Sequence, residues 1–344
     1  MIKSAVTNQE YIWQQGEYDY PAAYGFVPNI HTYLHEDEEE RPGMIVVPGG
    51  GYCMVVNVEG EPVAETFYQM GMNVVVLTYT TDITMSVPLM DQPLKDLSRA
   101  IRYVRANEKR FRIEPNRLAI CGFSAGGHLC ATLCTHYGDV TDCDASLNAI
   151  SNRPDGVILS YPVITAGEYT HIYSIRALLG NEPSKELLDY YSLEKQAHKE
   201  MPPCFIWQTV TDDLVPIENS MLFAEACRRS GVPYAYYAFP AGGHGLSVAS
   251  DRIRRGDFGE PYTFDQVNRA VEAAKNRTAI NVSEARRREL MLQFFGNEDG
   301  ERKEQAAPAK DEEKHAAYVP PRYEDAEQWP GLAKAWLCRI GILR

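Results

Sequence analysis

The stretch Leu118-Ala119-Ile120-Cys121-Gly122-Phe123-Ser124-Ala125-Gly126-Gly127-His128 decides how this chain is read. It begins with an uninterrupted apolar run, which suits a strand buried on both faces. The run breaks at Gly122-Phe123-Ser124-Ala125-Gly126, and a helix-compatible segment continues to about Thr135. A serine held between glycines at a strand-to-helix junction sits on a tight, strained turn, because side chains on its neighbours would clash. Such a turn lifts the hydroxyl to the end of the sheet. The helix N-terminus behind it favours developing negative charge. Ser124 is therefore the candidate nucleophile.

Working outward, strand-like and helix-like segments alternate on both sides. Ile30–Leu34, Met44–Val47 and Asn73–Tyr79 read as strands, and Glu36–Glu40 as a solvated turn. Residues 61–70 read as a helix. In 91–110 the apolar positions Leu94, Leu97, Ile101 and Val104 fall at helical spacing. Beyond the serine, Gly156–Ser160, Cys204–Gln208 and Tyr234–Phe239 read as strands, with a helix over Glu218–Ser230. This pattern predicts an α/β fold with a mostly parallel central sheet of about eight strands and helices on both faces.

After about residue 250 the texture becomes rich in Arg, Glu, Asp, Lys and Ala, with helical patterns over 264–276 and 283–295. Gly296–Lys314 is dense in charge and poor in apolar residues, as a mobile segment would be. A final amphipathic helix begins at Trp329-Pro330-Gly331. The expected organisation is a main domain of residues 1–250 plus 322–344. Residues 251–321 form a charged, partly helical insertion that serves as a lid, an oligomer contact or a mobile surface excursion.

Bulk properties exclude several classes of function. The 344 residues carry a formal net charge of -13, the wrong sign for a phosphate-binding surface or an anionic membrane. A small neutral substrate fits best, with no nucleic-acid and no membrane partner. The N-terminus has no apolar secretory core, and no apolar run of membrane-spanning length occurs. The eight cysteines are scattered, several in apolar stretches, as expected of reduced thiols in a cytoplasmic protein. Cys130 and Cys134 lie one helical turn apart without a second ligand pair, so no metal site is expected. A homodimer remains open.

An alkyl serine needs a base. Elbow hydrolases order their partners Ser, then Asp or Glu, then His. His244 follows a strand in Gly242-Gly243-His244-Gly245, where glycines leave room for a substrate. The other histidines lack that setting: His31 and His35 sit on or beside a strand, and His128 belongs to the helix behind the serine. The acid is Asp212 or Asp213, after the Cys204–Gln208 strand, and the D-x-x-V-P spacing favours Asp212, with Asp213 facing away. Its task is to fix the imidazole tautomer and stabilise the imidazolium. The oxyanion needs backbone N–H donors. Ala125 supplies one, and the loop Pro48-Gly49-Gly50-Gly51-Tyr52 supplies the others. Tyr52, Tyr161 and Leu246 are candidate contacts for the leaving alcohol, the tyrosines having core packing as their alternative use.

Together PGGGY, GFSAGGH, the Asp212–Ser220 stretch, FPAGGHG and the final WPGLAKAWL resemble the α/β-hydrolase superfamily. PGGGY stands where the hormone-sensitive-lipase-like group carries HGGG. Its proline is a departure from that group and is similar to small bacterial acetylxylan-esterase-like enzymes. The resemblance spans most of 27–250 and 327–344 and leaves 251–321 uncovered. It implies serine-dependent ester hydrolysis without a cofactor, often of acetyl groups on sugars, with Gly50 and Gly51 as oxyanion donors. A serine peptidase of the same fold and a non-catalytic binding protein on a hydrolase scaffold are the alternatives. Only about 40 residues precede the glycine loop, too few for the propeller such peptidases carry.

Overall fold

The apolar runs become the interior of the sheet in the computed structural model, which describes residues 5–297 and 322–344. Six strands run parallel: β4 (Arg41–Val47), β5 (Asn73–Thr78), β6 (Ile113–Phe123), β7 (Gly156–Ser160), β8 (Cys204–Thr209) and β9 (Tyr234–Phe239). β3 (Asn29–His35) runs antiparallel to β5, and β1 (Ala5–Val6) and β2 (Gln9–Tyr11) both pair antiparallel with β3. The hydrogen-bonded order is β1-β3-β5-β4-β6-β7-β8-β9, with β2 beside β3. β5, β7 and β8 bury every residue, as parallel strands covered on both faces must. β1 and β2 are too short to carry a sequence signal, and β6 extends well beyond the apolar run that marked it.

Alternation along the strands feeds two cores. Ile45, Val47, Val75 and Leu77 meet Leu94, Leu97 and Ile101 of the helix Gln92–Ala106 and Leu129 and Leu133 of the helix Ser124–His136. Met44, Val46, Val74 and Val76 face the other way, toward Val63 and Phe67 of the helix Glu61–Gln69 and Trp329 and Trp336 of the helix Trp329–Arg339. The chain leaves β4 for β5 on one side, while β6 lies on the other. In such sheets the crevice beyond the strand ends at this reversal is where ligands bind. β4 and β6 end in register there, Val47 opposite Gly122.

The described part of 251–321 packs onto this framework. The helix Asp265–Lys275 buries Val267, Ala270, Val271 and Ala274 in the first core, and the helix Glu284–Phe295 adds Leu290 and Met291. The Gln266 side chain accepts a hydrogen bond from the Thr81 N–H at 2.8 Å, and Arg252 pairs with Glu61 and Glu65 of the helix Glu61–Gln69. The charge-dense stretch from Gly296 to Lys314 lies, apart from its first two residues, outside the described residues. All eight cysteines are free, six of them buried. No helix among the described residues is long and apolar enough to cross a membrane.

Candidate active site

Ser124 sits at the end of β6 with φ +51°, a left-handed conformation costly for a residue with a Cβ. Its neighbours show why this turn demands glycine. A Cβ on Gly122 would lie 2.4 Å from the Gly126 carbonyl oxygen, and one on Gly126 would lie 2.1 Å from that of Val47. The elbow therefore closes directly against the end of β4, and Ser124 leads into its helix only 5% exposed.

The loops after β8 and β9 converge on that serine. His244 Nε2 lies 2.8 Å from Ser124 Oγ, and Nδ1 lies 2.9 Å from Asp212 Oδ2. The Asp212 side chain is 1% exposed. Its Oδ1 accepts the Leu214 and Val215 N–H groups at 3.0 and 2.9 Å. Burial alone would raise this carboxyl, but the His244 ring and those two N–H groups outweigh it and hold Asp212 below the usual aspartate value. The carboxylate thus fixes the proton on Nδ1 and leaves Nε2 free to accept one from Ser124. Asp213 does not face away. Its Oδ1 accepts the His244 backbone N–H at 3.1 Å, so the adjacent aspartates hold one histidine by ring and by backbone. Thr209 and Thr211 hydroxyls both bond the Gly242 carbonyl, tying the two loops together.

The glycine loop after β4 faces the serine from the opposite side. Gly50 and Gly51 have φ +124° and +65°, and a Cβ on Gly50 would lie 2.3 Å from the Met54 carbonyl oxygen. The Gly50 carbonyl accepts N–H bonds from Cys53 and Met54, closing the loop into a turn. Among the described residues none accepts a hydrogen bond from the N–H of Gly50, Gly51 or Ala125. The Gly49 N–H, by contrast, is taken by Glu59 Oε2 at 2.7 Å.

Three expected alcohol contacts separate into one that lines a cavity and two that do not. Leu246 lines a cavity of about 340 Å³ with Val58, His244, Ile253, Phe258 and Tyr323. Tyr52 is 1% exposed and its hydroxyl lies 2.9 Å from His128 Nδ1, so it is spent on the core. Tyr161 is 2% exposed: its ring meets His244 edge-on at 5.0 Å and its hydroxyl donates to Glu59 Oε1 at 2.7 Å. Both tyrosines are buried, with their hydroxyls engaged by protein groups. Two residues gave no sequence signal. Glu59 lies in a polar turn before the helix Glu61–Gln69. His171 stands beside the glycine loop, where a Cβ on Gly51 would lie 3.8 Å from its Cε1. A larger groove of about 720 Å³, lined by Arg105, Arg110, Pro115 and Asp155, opens at the opposite ends of the strands, away from Ser124. No group of His, Cys, Asp and Glu among the described residues could hold a metal ion.

Comparison with known proteins adds to this geometry. The BD-FAE family model matches residues 30–227. The chain is 55% identical over 262 residues to endo-1,4-beta-xylanase B of Butyrivibrio fibrisolvens, a match covering 76% of this chain and 41% of that protein. It is 32% identical over 226 residues to the acetylxylan esterase of Xylanibacter ruminicola, covering 63% of this chain and 43% of that protein. The chain thus spans less than half the length of either curated relative. Among solved structures, the acetyl ester-xyloside bifunctional hydrolase of Caldicellulosiruptor lactoaceticus superposes with a TM-score of 0.68 at 34% identity, covering 81% of this chain and 99% of that one.

Proposed function

Because this chain belongs to the BD-FAE family of esterase-like α/β-hydrolases, we propose that it is a serine carboxylesterase acting through an acyl-enzyme on Ser124, with O-acetyl groups of a carbohydrate as its substrate. The observation that carries this reading is the relay itself, with Ser124 Oγ 2.8 Å from His244 Nε2 and His244 Nδ1 2.9 Å from a buried Asp212 carboxylate. A serine held at strained φ against an oriented base argues against a binding protein on a hydrolase scaffold.

In the first step Ser124 Oγ attacks the ester carbonyl carbon while His244 Nε2 takes its proton. The carbonyl electrons move onto oxygen, and the resulting oxyanion accepts hydrogen bonds from the N–H groups of Gly50, Gly51 and Ala125. Collapse of this intermediate breaks the bond to the alcohol oxygen, which leaves with the proton from His244. Water then attacks the acyl-enzyme, giving up a proton to the same histidine. The second collapse releases the carboxylic acid and restores Ser124. Asp212 holds the ring throughout and balances the imidazolium. The cavity lined by His244 is the space we assign to the departing alcohol, and Ile253 and Phe258 of the 251–321 segment make part of its wall. A sugar as that alcohol is supported by the names of two relatives, the acetylxylan esterase and the acetyl ester-xyloside hydrolase, and by a net charge of -13 that favours a neutral substrate.

The test is hydrolysis of nitrophenyl esters from acetate to decanoate, with acetylated xylo-oligosaccharide alongside, by wild type and Ser124→Ala. Acetate preference, sugar deacetylation and a loss on the order of 10⁶ in Ser124→Ala are expected. Normal turnover by Ser124→Ala would sink the serine mechanism. No turnover of any ester, with Ser124 inert to a fluorophosphonate, would point to binding without catalysis.

A further inference from the structure

We propose that Glu59 is a positioning residue of this site, a buried carboxylate that ties the glycine loop facing Ser124 to the wall behind His244. The inference rests on the reading of Ser124, His244 and Asp212 as hydrolytic machinery.

Glu59 is 2% exposed and pairs with no cationic side chain among the described residues. Its two oxygens hold two separate elements beside the serine. Oε2 accepts the Gly49 N–H at 2.7 Å, in the loop that carries Gly50 and Gly51. Gly49 is itself wedged in place, since a Cβ there would lie 2.8 Å from the Ser124 Cβ and 3.0 Å from Glu59 Oε2. Oε1 accepts the Tyr161 hydroxyl at 2.7 Å. The Tyr161 oxygen in turn accepts the Ser247 N–H at 2.9 Å, three residues beyond His244, and its ring lies edge-on to the imidazole. The neighbouring Val58 carbonyl accepts the Ser247 hydroxyl at 2.6 Å, a second tie between the same turn and the histidine loop.

The donor and acceptor inventory matches the carboxylate form, an acceptor at both oxygens. A backbone N–H and a phenol both point hydrogens at Glu59, and the phenol oxygen already accepts from Ser247. An amide nitrogen in place of either oxygen cannot accept, so Glu59→Gln would set a donor against either the Gly49 N–H or the Tyr161 hydroxyl. Burial holds the Glu59 carboxyl above the usual glutamate value, the bonds from Tyr161 and Gly49 and the nearby His244 offsetting only part of the rise.

Glu59→Gln, Tyr161→Phe, the double variant and Ser124→Ala would be compared on nitrophenyl acetate, with circular-dichroism melting as the check on folding. Glu59→Gln is expected to lower kcat about 10²-fold with KM within about threefold, as a small displacement of oxyanion donors does. Tyr161→Phe should lose about tenfold, and the double variant no more than about threefold beyond Glu59→Gln, because both act through one chain of bonds. A merely structural role would leave kcat of the folded fraction intact, so wild-type kcat in folded Glu59→Gln overturns the proposal. So do fully multiplicative losses in the double variant, or a loss confined to KM. If Glu59→Gln does not fold, Tyr161→Phe, which removes one oxygen only, decides the matter: wild-type kcat there overturns it. Full activity of Ser124→Ala would instead bring down the serine reading, whatever Glu59→Gln does.

Discussion

Replacing Asp212 with asparagine changes one atom and should cost more than most deletions in this protein. The structure dictates which way the new amide faces. Asp212 Oδ1 accepts two backbone N–H groups, from Leu214 and Val215, so the asparagine oxygen must stay there. The amide nitrogen then replaces Oδ2, the atom 2.9 Å from His244 Nδ1, while Oδ1, 3.1 Å from Nδ1, is already occupied by its two backbone donors. Two donors cannot face each other at 2.9 Å, so the imidazole gives up its Nδ1 proton and carries one on Nε2 instead. Nε2, 2.8 Å from Ser124 Oγ, then donates where it must accept. The predicted loss in kcat is about 10⁴, or about 5 kcal/mol of transition-state stabilisation, with the fold intact. Nitrophenyl acetate turnover and circular-dichroism melting measure the two quantities. Asp213→Asn is the matched control: an amide oxygen can still accept the His244 backbone N–H, so its loss should stay below about tenfold. A kcat for Asp212→Asn within tenfold of wild type, or an equal loss in both variants, would refute the tautomer reasoning.

The remaining predictions concern stability, the elbow and the cavity. His128 is buried between the Tyr52 hydroxyl and the Tyr191 carbonyl, and burial lowers it from 6.5 to about 4. A base whose folded value is depressed adds stability above pH 6.5 that drains away as pH falls toward 4, up to about 3 kcal/mol. His128→Gln, whose amide can accept from Tyr52 and donate to Tyr191, should flatten the fall in Tm between pH 6.5 and 4.5, and an unchanged slope would contradict this. Gly126→Ala places a Cβ 2.1 Å from the Val47 carbonyl oxygen and should slow fluorophosphonate labelling of Ser124 at least about 10²-fold, a wild-type labelling rate being the contrary result. Leu246→Trp, in the cavity of about 340 Å³, should raise KM for acetylated xylo-oligosaccharide about tenfold and for nitrophenyl acetate less than about threefold. Equal effects on both esters would place the sugar elsewhere.

What the sequence made legible follows from where its constraints are local. Ser124 and its elbow could be read because steric demands at Gly122 and Gly126 act within a few residues. The order of Ser124, Asp212 and His244 could be read because each follows a strand whose apolar run marks it. Glu59 could not be read, because its partners lie 10 and 102 residues away and an acid in the turn Asn57–Glu59 looks like any solvated one. The roles of Tyr52 and Tyr161 are illegible for a related reason: an aromatic next to a site can support it or face into it, and only tertiary burial separates the two. In the 251–321 segment, Val267, Ala270, Val271 and Ala274 keep a helical spacing, but the surrounding charge masks how fully they pack into the core.

The same division shapes the site. The proposed reacting groups stand on the ends of β4 and β6 and on the loops after β8 and β9, backed by the glycine contacts and the Glu59 bonds. The far wall of the cavity comes instead from Ile253, Arg254, Phe258, Arg322 and Tyr323, residues on either side of the charge-rich stretch. Arg254 pairs with Asp251 and Arg322 with Glu327, so the wall presents little net charge to what enters. Substitutions there can change which alcohol fits without moving Ser124, whereas a change at Glu59 alters the chemistry for every ester alike. Specificity and rate should therefore separate by residue: variants at Ile253 or Phe258 should change the ranking of substrates, and Glu59→Gln should lower kcat while preserving it.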